Sequence, residues 1–294
     1  NSDSIVKIFI YNGIIKNLAL VSSTFEGGPN VGGFVGYAVN GGVVIENCHV
    51  SDVSVHGSDN VGGIIGSNGG HIRGCTSDAE VYGSQYVGGI VGNTAGFVEN
   101  NLYFGSSVTA TVGFSVGAVA GGVFGGSFNN NYYTLNGKGG AGFYRSASGE
   151  FCTTGEDIDG VRKAVVLSAA DGVHLTLVGE SVNYDVSGVT AYKKDDKFVS
   201  GLLYDSKLYA GATENVLLNI DYAVPEDYML LGYTDGNGKA LDANDDGTWT
   251  LSMTGDAVTV TPVIKHVWGI DDGADGTADN PYIISSTKEL DLLA

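Results

Sequence analysis

Apolar and polar positions along the first 133 residues follow two interleaved patterns. One is the hexapeptide VGGFVG at 31–36, repeated as VGGIIG at 61–66, VGGIVG at 87–92 and, in degenerate form, VGAVAG at 116–121. The copies are offset by 30, 26 and 29 residues. The second pattern runs in phase with the first: an apolar residue, two polar or small residues, then Leu, Cys or Asn. Its copies are Ile15-Lys16-Asn17-Leu18, Ile45-Glu46-Asn47-Cys48, Ile72-Arg73-Gly74-Cys75, Val98-Glu99-Asn100-Asn101 and Phe128-Asn129-Asn130-Asn131. An alternating stretch follows, clearest at Cys75, Ser77, Ala79 and Val81 with Thr76, Asp78, Glu80 and Tyr82 between. Period-2 alternation predicts a half-buried strand. The step of three from Ile72 to Cys75 predicts a bend before it. Each copy therefore reads as strand, bend, strand, Gly turn, a VGGxVG strand, and a further Gly/Asn turn.

Such a unit is too thin to enclose a core, so stacked copies must share one. Coils of 26–30 residues predict a parallel β-helix with strands about 4.8 Å apart. In that stack Ile15, Ile45, Ile72, Val98 and Phe128 form one interior column. Lys16, Glu46, Arg73, Glu99 and Asn129 form a charged corner column of alternating sign. Asn47, Asn100 and Asn130 occupy equivalent corners, where Asn tolerates the left-handed conformation, with Gly74 interrupting the series. Cys48 and Cys75 fall at equivalent positions of adjacent coils. Their spacing lies within reach of a disulfide, whereas parallel side chains favour a buried pair of thiols.

VGGFVG, VGGIIG and VGGIVG resemble the GLUG motif, found in tandem in bacterial surface proteins that include adhesins of gut bacteria. The resemblance covers about residues 13–133. It implies a β-helical stalk on an exported protein and carries no catalytic residues. The fourth copy departs from the motif, with Ala118 at the second Gly and Ala120 in place of a larger residue, which suggests a distorted terminal coil.

Beyond residue 135 the repeat is lost. Residues 136–165 read as an irregular connector. From 166 to 265, short alternating runs are punctuated by turn clusters at Asp171-Gly172, Lys193 to Lys197, Asp235 to Gly238 and Asn244 to Gly247. This is the pattern of a compact β-rich module. Its expected core is Leu217, Ile220, Tyr222, Trp249, Leu251 and Val260. LYAGATENVLLNI, GYTDGNGKAL and WTLSMTGDAVTVTP resemble the divergent internalin-type B-repeat modules of bacterial surface proteins, implying a spacer or adhesion domain. Thr254-Gly255 stands where that family has a Met-Pro-type sequence. In the tail, 266–294, Ser286 to Glu289 form a capping box before a short helix. NPYII and the helix resemble the opening segment of a further GLUG array, so the chain reads as a piece of a longer modular protein. The expected fold is all-β: a parallel β-helix over 1–135, a connector, a small sandwich or grasp-like module over 166–265, and a linker.

Composition narrows the partners. Glycine supplies 47 of 294 residues without a Gly-X-Y register, which excludes collagen. A hydrophobic share of 43% with only 16% charged residues excludes intrinsic disorder. The net charge of −19 argues against nucleic acid and anionic membranes. No apolar run approaches the length of a membrane span. The charge is uneven: 8 acidic and 3 basic residues over 1–135, against 25 and 11 over the remainder.

Candidate chemistry is sparse. Asp242, Asn244 and Asp246, followed by Gly247, match the start of an EF-hand loop, but Met253 stands at the position of its closing glutamate. Asp271, Asp275 and Asp279 form a second acidic cluster. Both are candidate calcium ligands, but Asx-Gly turns need no metal, and solvated turns are the favoured reading. His49, His56, His71, His174 and His266 show no metal-binding spacing, and His49 and His71 are expected on outward positions. Glu46, Asp52, Asp59, Asp78, Glu80 and Glu99 are the acids available to a polysaccharide-cleaving site. Tyr82, Tyr86, Tyr103, Tyr132 and Tyr133 are available to stack on sugars or to pack. The chain is expected to be a non-enzymatic, extracellular segment of a bacterial surface protein that mediates adhesion through a host or bacterial glycan or protein. The alternatives are a glycan-binding or glycan-cleaving β-helix and a passive spacer.

Overall fold

Glycine decides how closely this chain can fold on itself, and its spacing sets the shape of every coil. The computed structural model describes residues 9–112, 115–145, 151–152, 161–184, 189–194, 197–204, 206–267, 277–281 and 283–284. Among them every regular element is a strand. The chain folds as two compact units. One comprises Asn1–Val166, Gly179–Glu214 and Thr254–Asp256; the other comprises Leu167–Val178, Asn215–Met253 and Ala257–Ala294. Residues Gly179–Glu214 thus group with the repeats, not with the rest of the segment that follows them.

The first unit contains a parallel β-solenoid of about four turns. Each coil contributes to four faces. Face A stacks Phe9–Ile10, Val35–Ala38, Ile65–Asn68, Val91–Thr94, Ala120–Val123 and Ala141–Arg145. Face B stacks Gly13–Lys16, Val43–Glu46, His71–Arg73, Phe97–Glu99 and Ser127–Asn129. Face C carries the long strands Ala19–Glu26 and His49–His56, then Thr76–Ser77 with Glu80–Gly83, Leu102–Tyr103 with Val108–Ala110, and Asn131–Tyr133. Face D stacks Val31–Gly32, Asp59–Gly62, Gln85–Gly88 and Val116–Gly117.

The expected registers are present. Ile15, Ile45, Ile72, Val98 and Phe128 are directly paired down face B. Four of these are buried and Ile15, in the first coil, is partly so. Each fully buried Ile or Val contributes about 1.5–3 kcal/mol of hydrophobic stabilisation. Asn17, Asn47, Gly74, Asn100 and Asn130 all adopt positive φ, between 50° and 61°. These are the corners predicted for Asn and Gly, and Asn47 Nδ2 donates to Asn17 Oδ1 at 2.7 Å. The next column runs Leu18, Cys48, Cys75, Asn101, Asn131. Cys48 and Cys75 are buried free thiols. Their sulfurs donate to backbone carbonyls, Glu46 O at 3.3 Å and Arg73 O at 3.4 Å.

One expectation is corrected by the packing. VGGxVG is two strands, not one. In VGGIIG, Val61-Gly62 ends a face D strand, the chain turns at Gly63-Ile64, and Ile65-Gly66 opens a face A strand. The reason is steric. A Cβ on Gly62 would lie 2.2 Å from Ile65 O and 2.6 Å from Gly92 N, so faces D and A meet backbone to backbone. The fourth copy keeps the glycines that make this contact, Gly117 and Gly121, and it is not distorted: Val116 pairs with Val87 and Ala120 with Val91.

Residues 136–165 are not wholly irregular either. Ala141–Arg145 extends face A by pairing with Ala120–Val123, and Val161 to Lys163 extend face C by pairing with Asn131–Tyr133. The face C sheet then continues through Lys207–Gly211, Lys197–Tyr204, Val189–Lys194 and Glu180–Tyr184. The last three strand pairings of this path are antiparallel. Val189, Ala191 and Leu202 from these strands bury Leu102 and Tyr132, with Phe104, Tyr204 and Tyr209 around them. These strands therefore cover part of the outer side of face C.

The second unit is two small sheets. One is antiparallel, ordered Val173–Leu177, Asn215–Tyr222, Trp249–Ser252, Asp242–Ala243. The other pairs Tyr228–Thr234 with Val258–His266, whose first residues also run parallel to Leu167–Ala169. Tyr233 meets Trp249 edge-on at 4.9 Å and joins the two. Asp171-Gly172, expected as a hairpin turn, is a corner: the strands on either side enter different sheets. Leu251 and Val260 are buried as expected, and Ile220, Tyr222 and Trp249 are partly buried. Leu217 is 41% exposed while Val216 and Leu218 are buried, because the strand alternates in the opposite phase. Leu218→Ala is therefore expected to lower unfolding free energy by about 2–5 kcal/mol and Leu217→Ala by under about 1 kcal/mol. Urea unfolding of the two variants checks this, and equal losses would contradict the register.

Candidate functional site

The solenoid's outer surface carries an open concavity within the first unit, a groove of about 560 Å³ on face C. Its floor is Ser51, Asp52, Val53 and Ser54 from one coil and Asp78 and Glu80 from the next. The wall is Phe104, Gly105 and Ser106 with Tyr204 from the covering strands. Strand pairing explains the arrangement: Glu80 sits beside Ser54, and the bend between Thr76–Ser77 and Glu80–Gly83 brings Asp78 beside Asp52. Phe104 and Tyr204 touch at a ring separation of 4.6 Å.

The three carboxylates are not equivalent. Asp78 is partly buried and receives the Ser51 hydroxyl on Oδ2 and the Asp52 amide on Oδ1, both at 2.9 Å. Burial raises its pKa, and these donors partly oppose the shift. Asp52 takes positive φ, 53°, and accepts the Ser22 hydroxyl at 2.8 Å. Glu80 is exposed. No lining residue is basic. The groove is thus an acceptor-rich, anionic surface with an aromatic wall, suited to ligands that bring hydroxyl or cationic donors.

Other predicted residues fall elsewhere. The column Lys16, Glu46, Arg73, Glu99, Asn129 is paired as expected along face B. Arg73 Nε donates to Glu46 Oε2 at 2.9 Å, and Lys193 Nζ lies 3.5 Å from Oε1. Burial alone would raise the Glu46 pKa, but the hydrogen bonds and charges of Arg73 and Lys193 outweigh it and hold the carboxyl below its usual range. Asp59 is exposed and Glu99 accepts the Ser127 hydroxyl at 2.7 Å. Neither lines the groove.

Of the tyrosines, Tyr103, Tyr132 and Tyr133 are buried and pack. Tyr103 donates its hydroxyl toward Ala79 O and Ser107 O at 2.9 and 3.0 Å, and burial raises its pKa. Tyr82 is 45% exposed and Tyr86 half-buried. His71 faces outward and stacks on Phe97 at 4.4 Å. His49 is fully buried, an exception to the expected exposure, because the covering strands close over that part of face C. It hydrogen-bonds Thr76 Oγ1 and lies parallel to Phe104. Sequence reasoning missed the groove because its wall comes from Tyr204, over 120 residues away from its floor. The available signal was Leu102 and Tyr132, apolar residues in the outward register where the earlier coils place His49 and Thr76.

The candidate calcium loop at 242–247 is a tight hairpin turn, closed by Asn244 N donating to Thr248 O and Gly247 N to Asn244 O. Asp246 Oδ1 accepts the amide and hydroxyl of Thr248, at 3.0 and 2.6 Å. Asn244 donates its side-chain amide to Thr248 and Thr250 hydroxyls, both at 3.0 Å. Asp242 pairs across to Thr250 on an exposed strand. Asp279 is exposed, and Asp271 and Asp275, like the predicted helix at 286–293, lie outside the described residues. Among the described residues no three His, Cys, Asp or Glu side chains converge as a metal site. No helix among the described residues is long and apolar enough to cross a membrane.

No protein-family model, curated protein or solved structure matches this chain.

Burial lowers the His49 pKa to about 4, against 6.5 for the free residue. Between those values the unfolded chain binds the proton and the folded chain does not, so stability falls as pH drops from 7 to 5. The loss at His49 is about 2 kcal/mol, and it should be absent in His49→Gln, so that the stability of the wild type relative to this variant falls by about that amount between pH 7 and pH 5. For calcium, millimolar Ca²⁺ is expected to move the melting temperature by less than about 1 °C, since an ion would have to displace the turn's own hydrogen bonds. A rise of several degrees that Asp246→Ala abolishes would establish the site instead.

Proposed function

We propose that this chain is a non-enzymatic contact segment of a bacterial cell-surface protein: a GLUG-type stalk followed by a B-repeat-like module, acting outside the cell in adhesion. The observation that carries the reading is the face C groove. It offers carboxylates and hydroxyls on a repeat-built floor and two touching rings in its wall, the mixture that contact with a glycan or a protein side chain requires. The acids support contact more than cleavage. A glycan-cleaving pair needs one carboxyl free to give a proton and one free to attack or activate water. Asp78 spends both oxygens on Ser51 and Asp52, and Glu46 is held ionised by two cations.

One feature favours a second reading, cleavage of a polysaccharide in the same groove: burial raises the Asp78 pKa beside a second carboxylate, Asp52. The test separates the readings. The whole chain is applied to an array of host and bacterial glycans and matrix proteins, and incubated with the same glycans in solution. Contact predicts retention that Glu80→Lys with Tyr204→Ala weakens about tenfold or more, without release of reducing ends. Release of reducing ends that Asp78→Asn abolishes would make it an enzyme. Retention nowhere on the array would leave only the spacer role.

A further inference from the structure

The corner between faces D and A carries a strip unlike the groove. Its left-handed corner residue is Asn30 in one coil and Asn60 in the next, with φ of 59° and 57°. In the third coil it is Tyr86, with φ of 53°. Asn adopts this conformation readily, while a bulky aromatic residue there is an outlier. The chain uses Asn twice at this corner and departs from it where a ring appears. Beside the corner, the face A register runs Tyr37, Ser67, Asn93, Gly122, Phe143.

The amides of the two columns interlock. Asn60 Nδ2 donates to Asn30 Oδ1 at 2.9 Å, Asn93 Nδ2 to Asn60 Oδ1 at 2.7 Å, and the Ser67 hydroxyl to Asn93 Oδ1 at 2.8 Å. Where the amides stop, rings begin. Tyr86 meets Phe124 edge-on at 5.2 Å, and Phe124 meets Phe143 at 5.1 Å. Gly122 lies beneath them: a Cβ there would come within 2.8 Å of both the Phe124 and Tyr86 rings. The three rings and Asn30, Asn60 and Asn93 all keep part of their surface in solvent. Neither column contains a charged residue, in a chain of net charge −19.

We infer that this strip binds a neutral polysaccharide lying along the coil axis. Carboxamides and hydroxyls donate to and accept from sugar hydroxyls in either sense. Ring faces offer apolar surface for the C–H side of a pyranose. Asn30, Asn60 and Asn93 lie on three successive coils at the strand spacing of about 4.8 Å, close to the length of one sugar residue, so a linear polymer would meet a carboxamide on each of these coils before it reaches the rings of Phe124 and Phe143. An acidic polymer would find no cation within either column, Arg145 lying two residues beyond Phe143 on its strand, and would be repelled by the chain's net charge of −19. A protein partner is disfavoured by size, since a stable interface buries about 800 Å² on each side and this strip is a single line of side chains. The inference rests on the contact reading and gives its ligand a class, but it uses a surface separate from the groove, so the two fail independently.

The test is affinity electrophoresis of the whole chain in native gels containing a soluble β-glucan, a mannan or a galactomannan, with alginate as the acidic comparison. Mobility is read relative to a gel without polymer. The wild type should be retarded by at least one neutral polymer and not by alginate. Tyr86→Asn restores the residue of the two preceding coils. It should keep or raise the melting temperature while weakening retardation about tenfold or more. Phe124→Ser should weaken it likewise, and Tyr82→Ser, an exposed ring on face C, should leave it unchanged. Retardation by alginate alone, by no polymer, or equally in Tyr86→Asn would overturn the inference, as would loss in Tyr82→Ser. A lower melting temperature in Tyr86→Asn with unchanged retardation would make the ring purely structural. Array retention that survives Tyr86→Asn and is lost in the groove variants would overturn the strip and leave the contact reading standing.

Discussion

The contact on which the solenoid depends is made by atoms that are absent. Along faces D and A, Gly62, Gly88 and Gly117 each come so close to the neighbouring strand that an added methyl would sit 2.2–2.3 Å from a carbonyl oxygen. No rotamer change relieves such a clash, because the obstacle is backbone. The two faces can therefore lie this close only because Gly62, Gly88 and Gly117 carry no side chain. Much else follows from that flatness. The interior beside it is filled mainly by Val, Ile and Ala, with the Tyr103 ring lying against Gly89. The chain must reverse within a few residues at each corner, which places Asn17, Asn47, Asn100 and Asn130 in the left-handed region. A side-chain amide tolerates that region and bonds locally, so Asn recurs where Gly is not needed for space.

Much of the stack was legible in the sequence because a repeat fixes register. Once two landmarks recur in phase, equivalent positions must align, and the face B columns from Ile15 to Phe128 and from Lys16 to Asn129 do so. What the repeat conceals is geometry inside the unit. VGGxVG reads as one alternating strand because glycine has no side chain to reveal which way it faces. The pair Gly62-Gly63 followed by two apolar residues was the trace of a turn. The phase of Asn215–Tyr222 was decidable by parity: Val216, Leu218, Ile220 and Tyr222 share one, and Leu217 cannot join Ile220 and Tyr222 on the same side of a regular strand.

The groove was less legible because its parts are distant in sequence. Half of it is a coil surface, predictable from alternation. The other half depends on strands Val189–Lys194 and Lys197–Tyr204 turning back over face C. They meet the solenoid through apolar packing at Leu102 and Tyr132 and through an ion pair between Glu46 and Lys193. The ion pair is partly exposed and contributes about 1 kcal/mol or less. Removing Leu102 and Tyr132 from water contributes more, so the apolar cluster is what holds the strands in place and the ion pair serves to set their position.

In a repeat, information lies where the repeat is broken. The backbone of each coil is dictated by the ones beside it, so a residue that keeps the pattern reports packing alone. Departures need a separate cause. The Leu18, Cys48, Cys75 column becomes Asn101 and Asn131, and there the cause is visible. Asn101 accepts the Cys75 amide at 2.9 Å and donates to Ile72 O at 3.2 Å and Asn131 Oδ1 at 2.9 Å. Buried amides thus stitch three coils together where thiols stitched two. Leu102 and Tyr132 depart from a polar register because they are covered. Tyr86 departs in the costly direction, exchanging a residue suited to the left-handed corner for one that is not. Ring-on-ring packing with Phe124 and Phe143 over Gly122 offsets part of that cost. It still leaves three rings partly in solvent at a corner that Asn closes twice, and the proposed polysaccharide would bury the surface that the coil alone leaves wet.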